Sequence, residues 1–310
     1  MNRIVESIKK PFKDLSGYIN CKMTEYLNPN QENKSEGSDL ELINTQRSTI
    51  EWQFDRATQN VTGNPIIIEI QGYLKIMAFP IGNYGPNKNG IDGVMGDSTQ
   101  SAIKAFQLMT RQNVDPQNEE QVAMQLEKAV FSGNTIRSLA VEALKAGVDF
   151  EISNLSTRAE FVNALYYDAI IDEINSKVPA AVTVAQAILE SVYGKFIPVD
   201  IQTGQYSYNL FGIKGTGPAG SVKSWTREEN KKTGVWEPQL ARFKAFNSFV
   251  ESIKGHSDFF YQNLRRYSAA FKTSNPADFA KAIAKAGYAT DSQYANKLIN
   301  LMKTWGMIAT

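Results

Sequence analysis

One acidic side chain stands in an otherwise apolar run at Ala185-Gln186-Ala187-Ile188-Leu189-Glu190-Ser191. From Pro179 to Gly194 nearly every residue is small or aliphatic, with Pro179 placed for a first helical turn and Gly194 for a left-handed stop. A carboxyl in the last turn of such a helix faces the negative end of the backbone dipole and apolar neighbours, and both favour its protonated form. A carboxyl that keeps its proton near neutral pH is what general-acid cleavage of a glycosidic bond requires. Gln186, one turn earlier on the same face, is spaced to orient that acid. A glutamate near a helix end is most often a solvated surface charge, so the surrounding motifs carry much of the weight.

Other chemistries find few residues to work with. The chain has one cysteine, Cys21, and one histidine, His256, which rules out an intrachain disulfide and leaves no His/Cys cluster for zinc. Cys21 lies in a polar N-terminal stretch and His256 reads as a helix-face imidazole, so a Cys-His nucleophile is not expected. With 33 Lys and Arg against 32 Asp and Glu, the chain has no excess charge to hold a nucleic acid. No stretch approaches the ~18 consecutive apolar residues of a membrane span. Met1 to Lys13 is basic but lacks the apolar centre of a secretory signal.

At 310 residues the length suits two domains and an extension. Residues 1–60 are polar, with Asn28 to Ser38 reading as a linker, and are expected to be a docking arm. Residues 61–150 show helical patterns over Ile66 to Met77, Ser98 to Arg111 and Glu119 to Ala146, with Asp97 as N-cap and Gln100 completing its box. In residues 151–310, Thr157 with Glu160 opens a helix to about Ile174, and Ser248 with Glu251 opens another. Two more helices are expected, from Pro276 to Gly287 and from Ser292 to Trp305. Between Ser221 and Phe246 the period changes to strand-like alternation, with Ala241, Phe243 and Ala245 on one side and Arg242 and Lys244 on the other. The fold class is therefore mainly α, an α+β chain with one small β-excursion.

Three motifs in order, Ala185 to Ser191, Asn209-Leu210-Phe211-Gly212-Ile213-Lys214-Gly215, and Gly287-Tyr288-Ala289-Thr290-Asp291 with Tyr294, resemble those of glycoside hydrolase family 73, the bacterial cell-wall glucosaminidases. The resemblance implies a lysozyme-like catalytic domain with a small β-lobe, endo-acting on the glycan strands of peptidoglycan with no metal or organic cofactor. It makes Glu190 the acid and asks for a second acid in the β-lobe. Glu228 is chosen for its place after Thr226, and Glu229 is the alternate. Asn209 would bond an N-acetyl group, Phe211 would stack on a sugar or, more simply, pack, and Tyr288 matches the family tyrosine beside the acid. Where the family commonly reads Glu-Ser-Gly-Trp-Gly, this chain has Glu190-Ser191-Val192-Tyr193-Gly194, which puts a β-branched residue on a glycine position.

Upstream, Asp92-Gly93-Val94-Met95-Gly96 followed by Thr99 through Gln107 resembles the small three-helix peptidoglycan-binding domain, although the loop Pro80 to Asn89 is longer than usual. A lytic transglycosylase is the nearest enzymatic alternative. A non-catalytic wall-contacting part of a phage tail or phage-like injection apparatus, joined through residues 1–60, is the other, and an endolysin fits the same facts. In each case the site of action is the bacterial wall, in the periplasm or outside the cell. Without a secretory signal, export is expected through a pore, by lysis or by an injection apparatus.

Overall fold

The computed structural model describes residues 36–112, 114–146, 157–229 and 235–309, with the side chains of residues 36–44 and of Leu144, Glu228, Glu229 and Trp236 outside that description. Cys21 and the expected linker Asn28 to Ser38, apart from its last residues, fall outside the described residues. The backbone divides into two units, Met1–Ser48 and Thr49–Thr310, and the buried core belongs to the second.

The first described helix, α1 (Glu36–Thr58), changes the reading of residues 1–60. Its last turns belong to the second unit, because Ile50, Phe54 and Ala57 recur on one helical face and pack on the core. Phe54 lies 5.1 Å from the Tyr73 ring, and Gly72 makes room for it: a Cβ there would meet the Phe54 ring at 2.5 Å. Ile50, Phe54 and Ala57 make only a short stripe, a weak sequence signal for the start of the unit Thr49–Thr310.

Four helices follow: α2 (Pro65–Ile76), α3 (Asp97–Thr110), α4 (Glu119–Phe131) and α5 (Ile136–Lys145). The expected helix from Glu119 to Ala146 is thus two, broken where Gly133 takes φ +75°. Asp97 is not the cap of α3; Gly96 is, without a side-chain bond, and Asp97 lies inside the first turn where its charge meets the positive helix end. The glycine-rich turn before it is wrapped around buried Gln71. That amide donates to Asp92 Oδ1 at 2.8 Å and to Thr99 Oγ1 at 3.0 Å, while its oxygen accepts from the Asp92 and Gly93 N–H groups. The motif's spacing therefore satisfies one buried side chain from α2.

Next come α6 (Arg158–Ser176), closed at its start by the full Thr157–Glu160 box, and α7 (Ala180–Ser191), which carries the acid. Strands β1 (Ser221–Glu229) and β2 (Trp236–Lys244) pair antiparallel from Ser221↔Lys244 to Glu229↔Trp236. Val222, Phe243 and Ala245 bury a small cluster of their own beneath this hairpin. The chain closes with α8 (Phe249–Gln262), α9 (Leu264–Tyr267), α10 (Pro276–Lys285) and α11 (Tyr294–Thr304). At the start of α8, Ser248 accepts from Glu251 N–H, but the Glu251 carboxylate returns to the Asn247 amides rather than completing the box. Among the described residues the architecture is mainly helical with one two-stranded β-hairpin, the α+β class expected from the sequence.

Residues 61–150 do not stand apart from this. Helices α3 and α5 pack on α6, and the buried apolar residues from Ile70 to Met307 form one continuous cluster. Buried Asn163 on α6 donates to Pro80 O at 3.3 Å and Ser101 Oγ at 3.0 Å, and Lys104–Glu160 and Arg137–Glu173 bridge the same seam at 3.0 and 2.9 Å. Among the described residues, no helix is long and apolar enough to cross a membrane.

Candidate active site

Helix α7 forms because Ala, Val, Thr and Ile can be buried on every face. All its residues from Ala180 to Ile188 are buried, and it packs against α6, α10 and α11. Only at its end does it reach solvent, where Glu190 is exposed. The helix stops at Ser191, not at Gly194: Val192 is the left-handed cap with φ +50°, and Tyr193 and Gly194 continue in that region. Ser191 holds the turn by donating to Ala187 O at 2.6 Å and accepting from Gly194 N–H at 2.8 Å. Tyr193 is pinned between Phe161 and Trp305, whose indole N–H donates to the Tyr193 hydroxyl at 3.1 Å. The acid therefore projects from a rigid helix end.

Behind it runs a chain of hydrogen bonds. Tyr294, at the start of α11 and buried, donates to Glu190 Oε1 at 3.2 Å. The amide of Gln186, fully buried, donates to the Tyr294 hydroxyl at 2.9 Å, and Gln186 Oε1 lies 3.0 Å from His256 Nε2 on α8. Tyr288 stacks on Tyr294 with centroids 5.5 Å apart. Crowding by protein raises the pKa of Glu190, and the Tyr294 bond opposes this in part. The carboxyl is thus reachable by solvent on one side and desolvated on the other. Burial, followed by the nearby Glu190 charge, also raises Tyr288, and Tyr294 rises from burial, Tyr288 and Glu190 together, so both phenols remain donors. His256, stacked on Phe211 at 4.1 Å and wholly buried, is pushed down to about 3 and stays neutral.

Residues 167–306 match the glucosaminidase family, described as mannosyl-glycoprotein endo-beta-N-acetylglucosaminidase. That stretch is a glucosaminidase-family domain. The peptidoglycan hydrolase FlgJ of Pseudomonas aeruginosa is 38% identical over 138 residues, 43% of this chain and 34% of that protein. FlgJ of Escherichia coli K12 is 33% identical over 144 residues, 46% and 45% of the two. The exo-glucosaminidase LytG of Bacillus subtilis is 29% identical over 183 residues, 58% and 61%. Among solved structures, a peptidoglycan hydrolase mutant from Sphingomonas sp. A1 is 33% identical, with 47% of this chain on 92% of that one and a TM-score of 0.40. The truncated glycoside hydrolase domain of Salmonella typhimurium FlgJ is 29% identical, with 49% on 100% and a TM-score of 0.41. The chain spans about a third to a half of the length of these FlgJ proteins.

Within this glucosaminidase region the expected site residues separate into two groups. Glu190, Gln186 and Tyr288 come together, with Gln186 sealed from solvent and linked to Glu190 through Tyr294. Tyr288 is half-buried against Tyr294. Asn209 and Phe211 are both buried. The Asn209 amide donates to Ile213 O and Lys244 O, both at 2.9 Å, and its oxygen accepts from Phe211 and Ile213 N–H, so no polar atom is left for an N-acetyl group. Its work is to fasten the loop of Asn209 to Lys214 to the end of β2. Phe211 is buried on the imidazole of His256.

Glu228 and Glu229 close the described part of β1, opposite Glu237 and Trp236, and their side chains lie outside the description. The two-residue strand period puts position 228 in phase with buried Val222 and position 229 in phase with exposed Lys223. Glu237, exposed and directly across from position 228, is a carboxylate that sequence reasoning missed. So are the roles of Tyr294 and His256. Tyr294 is visible in the third motif, whereas His256 offers only its singularity as the one histidine of the chain.

Proposed function

We propose that the chain is a peptidoglycan hydrolase, an endo-β-N-acetylglucosaminidase that cuts the glycan strand after N-acetylglucosamine. The observation that carries this is Glu190: a solvent-reachable carboxyl on the rigid end of a buried helix, with raised pKa and one oxygen engaged by Tyr294. Glu190 protonates the leaving glycosidic oxygen as the C–O bond breaks, and the carboxylate left behind keeps the Tyr294 hydroxyl as a donor. The second acid, which stabilises the positive sugar centre or activates water, is assigned to Glu228 on its register with Val222, with Glu229 as the alternate. The activities for which the FlgJ and LytG relatives are named support the same substrate and bond class.

The site of action on this reading is the bacterial wall. Contact with the wall through residues 61–150, and docking to a phage-tail-like or secretion apparatus through residues 1–60, complete the proposal. The test is digestion of purified sacculi by the full chain and by Glu190→Gln, with product analysis at the new chain ends. Reducing N-acetylglucosamine ends are expected from the wild type and a loss to under about a tenth from the variant. Anhydro-sugar ends instead would make the chain a lytic transglycosylase.

A further inference from the structure

We infer that His256, buried and remote from any substrate, is a positioning residue that decides which oxygen of Glu190 carries the catalytic proton. The inference rests on Glu190 being the general acid. Three bonds connect the two residues: His256 Nε2 to Gln186 Oε1 at 3.0 Å, Gln186 Nε2 to the Tyr294 hydroxyl at 2.9 Å, and that hydroxyl to Glu190 Oε1 at 3.2 Å.

Such a chain has two possible polarities, and they differ at the carboxyl. If the imidazole proton is on Nε2, His256 donates to the Gln186 oxygen. The Gln186 amide then donates to Tyr294, and the single tyrosine proton points at Glu190 Oε1. Oε1 is an acceptor in that arrangement, so the acid proton sits on Oε2, the oxygen left for the leaving group. If the imidazole proton is on Nδ1, the Gln186 amide turns over to donate to Nε2. Tyr294 then donates to the Gln186 oxygen, and Glu190 must place its proton on Oε1 to reach Tyr294. The acid would be turned inward.

The surroundings of His256 select the first state. Its Nδ1 has no hydrogen-bond partner and is closed off between Phe211, stacked at 4.1 Å, and Phe260, edge-on at 5.0 Å. A buried N–H without an acceptor is rarer and costlier than a bare acceptor lone pair, so the proton belongs on Nε2. Those apolar rings also keep the ring neutral, with a pKa near 3. An imidazolium would donate from both nitrogens and leave one orphaned. The titratable groups that face Glu190 among the described residues are Tyr294 and Tyr288, both held as neutral phenols. The polarity is therefore set from the histidine end.

The experiment uses the full chain, whose one histidine gives a single imidazole signal pair in 15N-labelled protein. The expected spectrum is the neutral Nε2–H tautomer from about pH 5 to pH 8; the Nδ1–H tautomer or an imidazolium overturns the inference without involving any variant. In parallel, His256→Phe, which keeps a ring against Phe211 but no donor, is expected to lower kcat about tenfold with KM within about twofold. Its alkaline limb in kcat/KM should move to higher pH, because losing the Tyr294 bond removes what holds the Glu190 pKa down. His256→Gln restores a donor near the Nε2 position and should return both. A fall in activity with the limb unmoved, or no fall at all, overturns the positioning role. If Glu190→Gln keeps its activity, it is the assignment of the acid that fails, whatever the tautomer. Should His256→Phe not fold, the tautomer decides alone.

Discussion

Acidification should destabilise this protein through His256. Its ordinary pKa of 6.5 falls to about 3 in the folded state, because the ring is wholly buried among Phe211, Phe260 and the Gln186 amide. The unfolded chain therefore binds one more proton than the folded chain between those two values, and stability falls as pH drops through 6.5 and goes on falling to about 3. At about 1.4 kcal/mol per pH unit, the loss is roughly 2 kcal/mol at pH 5 and a little over 3 kcal/mol at pH 4. For a unit of this size that is about 4 °C of melting temperature at pH 5. Carboxylates such as Asp200, lowered to about 2 by the N–H groups of Lys223, Thr203 and Gln202, add their own acid loss, so the measurement must be a difference. Urea unfolding of wild type and His256→Gln, each from pH 8 to pH 4, gives it. The gap in stability between the two should move in the variant's favour by about 2 kcal/mol between pH 7 and pH 5. Parallel curves would mean that the ring finds water or an acceptor in solution, and would refute the buried, neutral imidazole on which the polarity argument stands.

Glu190→Gln should raise the melting temperature slightly at pH 7 and leave it unchanged at pH 4, since a carboxyl with a raised pKa destabilises the fold only once pH rises past its unfolded-state value; equal shifts at both pH values would contradict the crowding around it. Val192→Gly should stabilise by about 1 kcal/mol, because a β-branched residue at φ +50° carries the left-handed penalty of about 1–2 kcal/mol and its side chain is 43% exposed, with little packing to lose. A lower melting temperature would mean that the side chain packs in solution. A fragment of residues 151–310 should be insoluble or melt far below the full chain, because it strips α3 and α5 from α6 and leaves Asn163 without Pro80 and Ser101; a fragment melting as the full chain does would restore the separate-domain reading. Removing residues 1–48 should spare sacculus hydrolysis in vitro, whereas a cut after residue 60 should lower stability by exposing the Tyr73 side of α2; equal stability of the two would return the boundary to residue 60.

Local rules carry most of the helices. The Thr157–Glu160 box, the Pro276 start and the alternation around Phe243 each correspond to an observed element, because each rests on interactions within a few residues. Where expectation and structure part, the deciding contact comes from farther away. Asp97 looks like a cap because its neighbours suit one, yet the backbone enters α3 through Gly96, dictated by a turn wrapped around Gln71 from another helix. Residues 61–150 look separable because their motif resembles a free-standing module. Nothing local in α6 announces that Asn163 buries itself against that module.

The same distinction explains the site. Motifs locate the polar residues that matter, but a motif does not state which way an amide faces. Asn209 and Gln186 lie on motifs of the same kind, and both are buried, one consumed by backbone groups around its own loop and the other by Tyr294 and His256. Their shared logic is that an acid exposed to a polymer must be aimed by groups the polymer cannot touch. Glu190 meets solvent, while the Tyr294 donor that orients it sits behind it in a buried layer with Gln186 and His256, where each bond is stronger and a missing one costs more. A histidine in that layer is useful for the opposite of its usual reason: with the ring kept neutral, its single N–H gives the whole chain of bonds one direction.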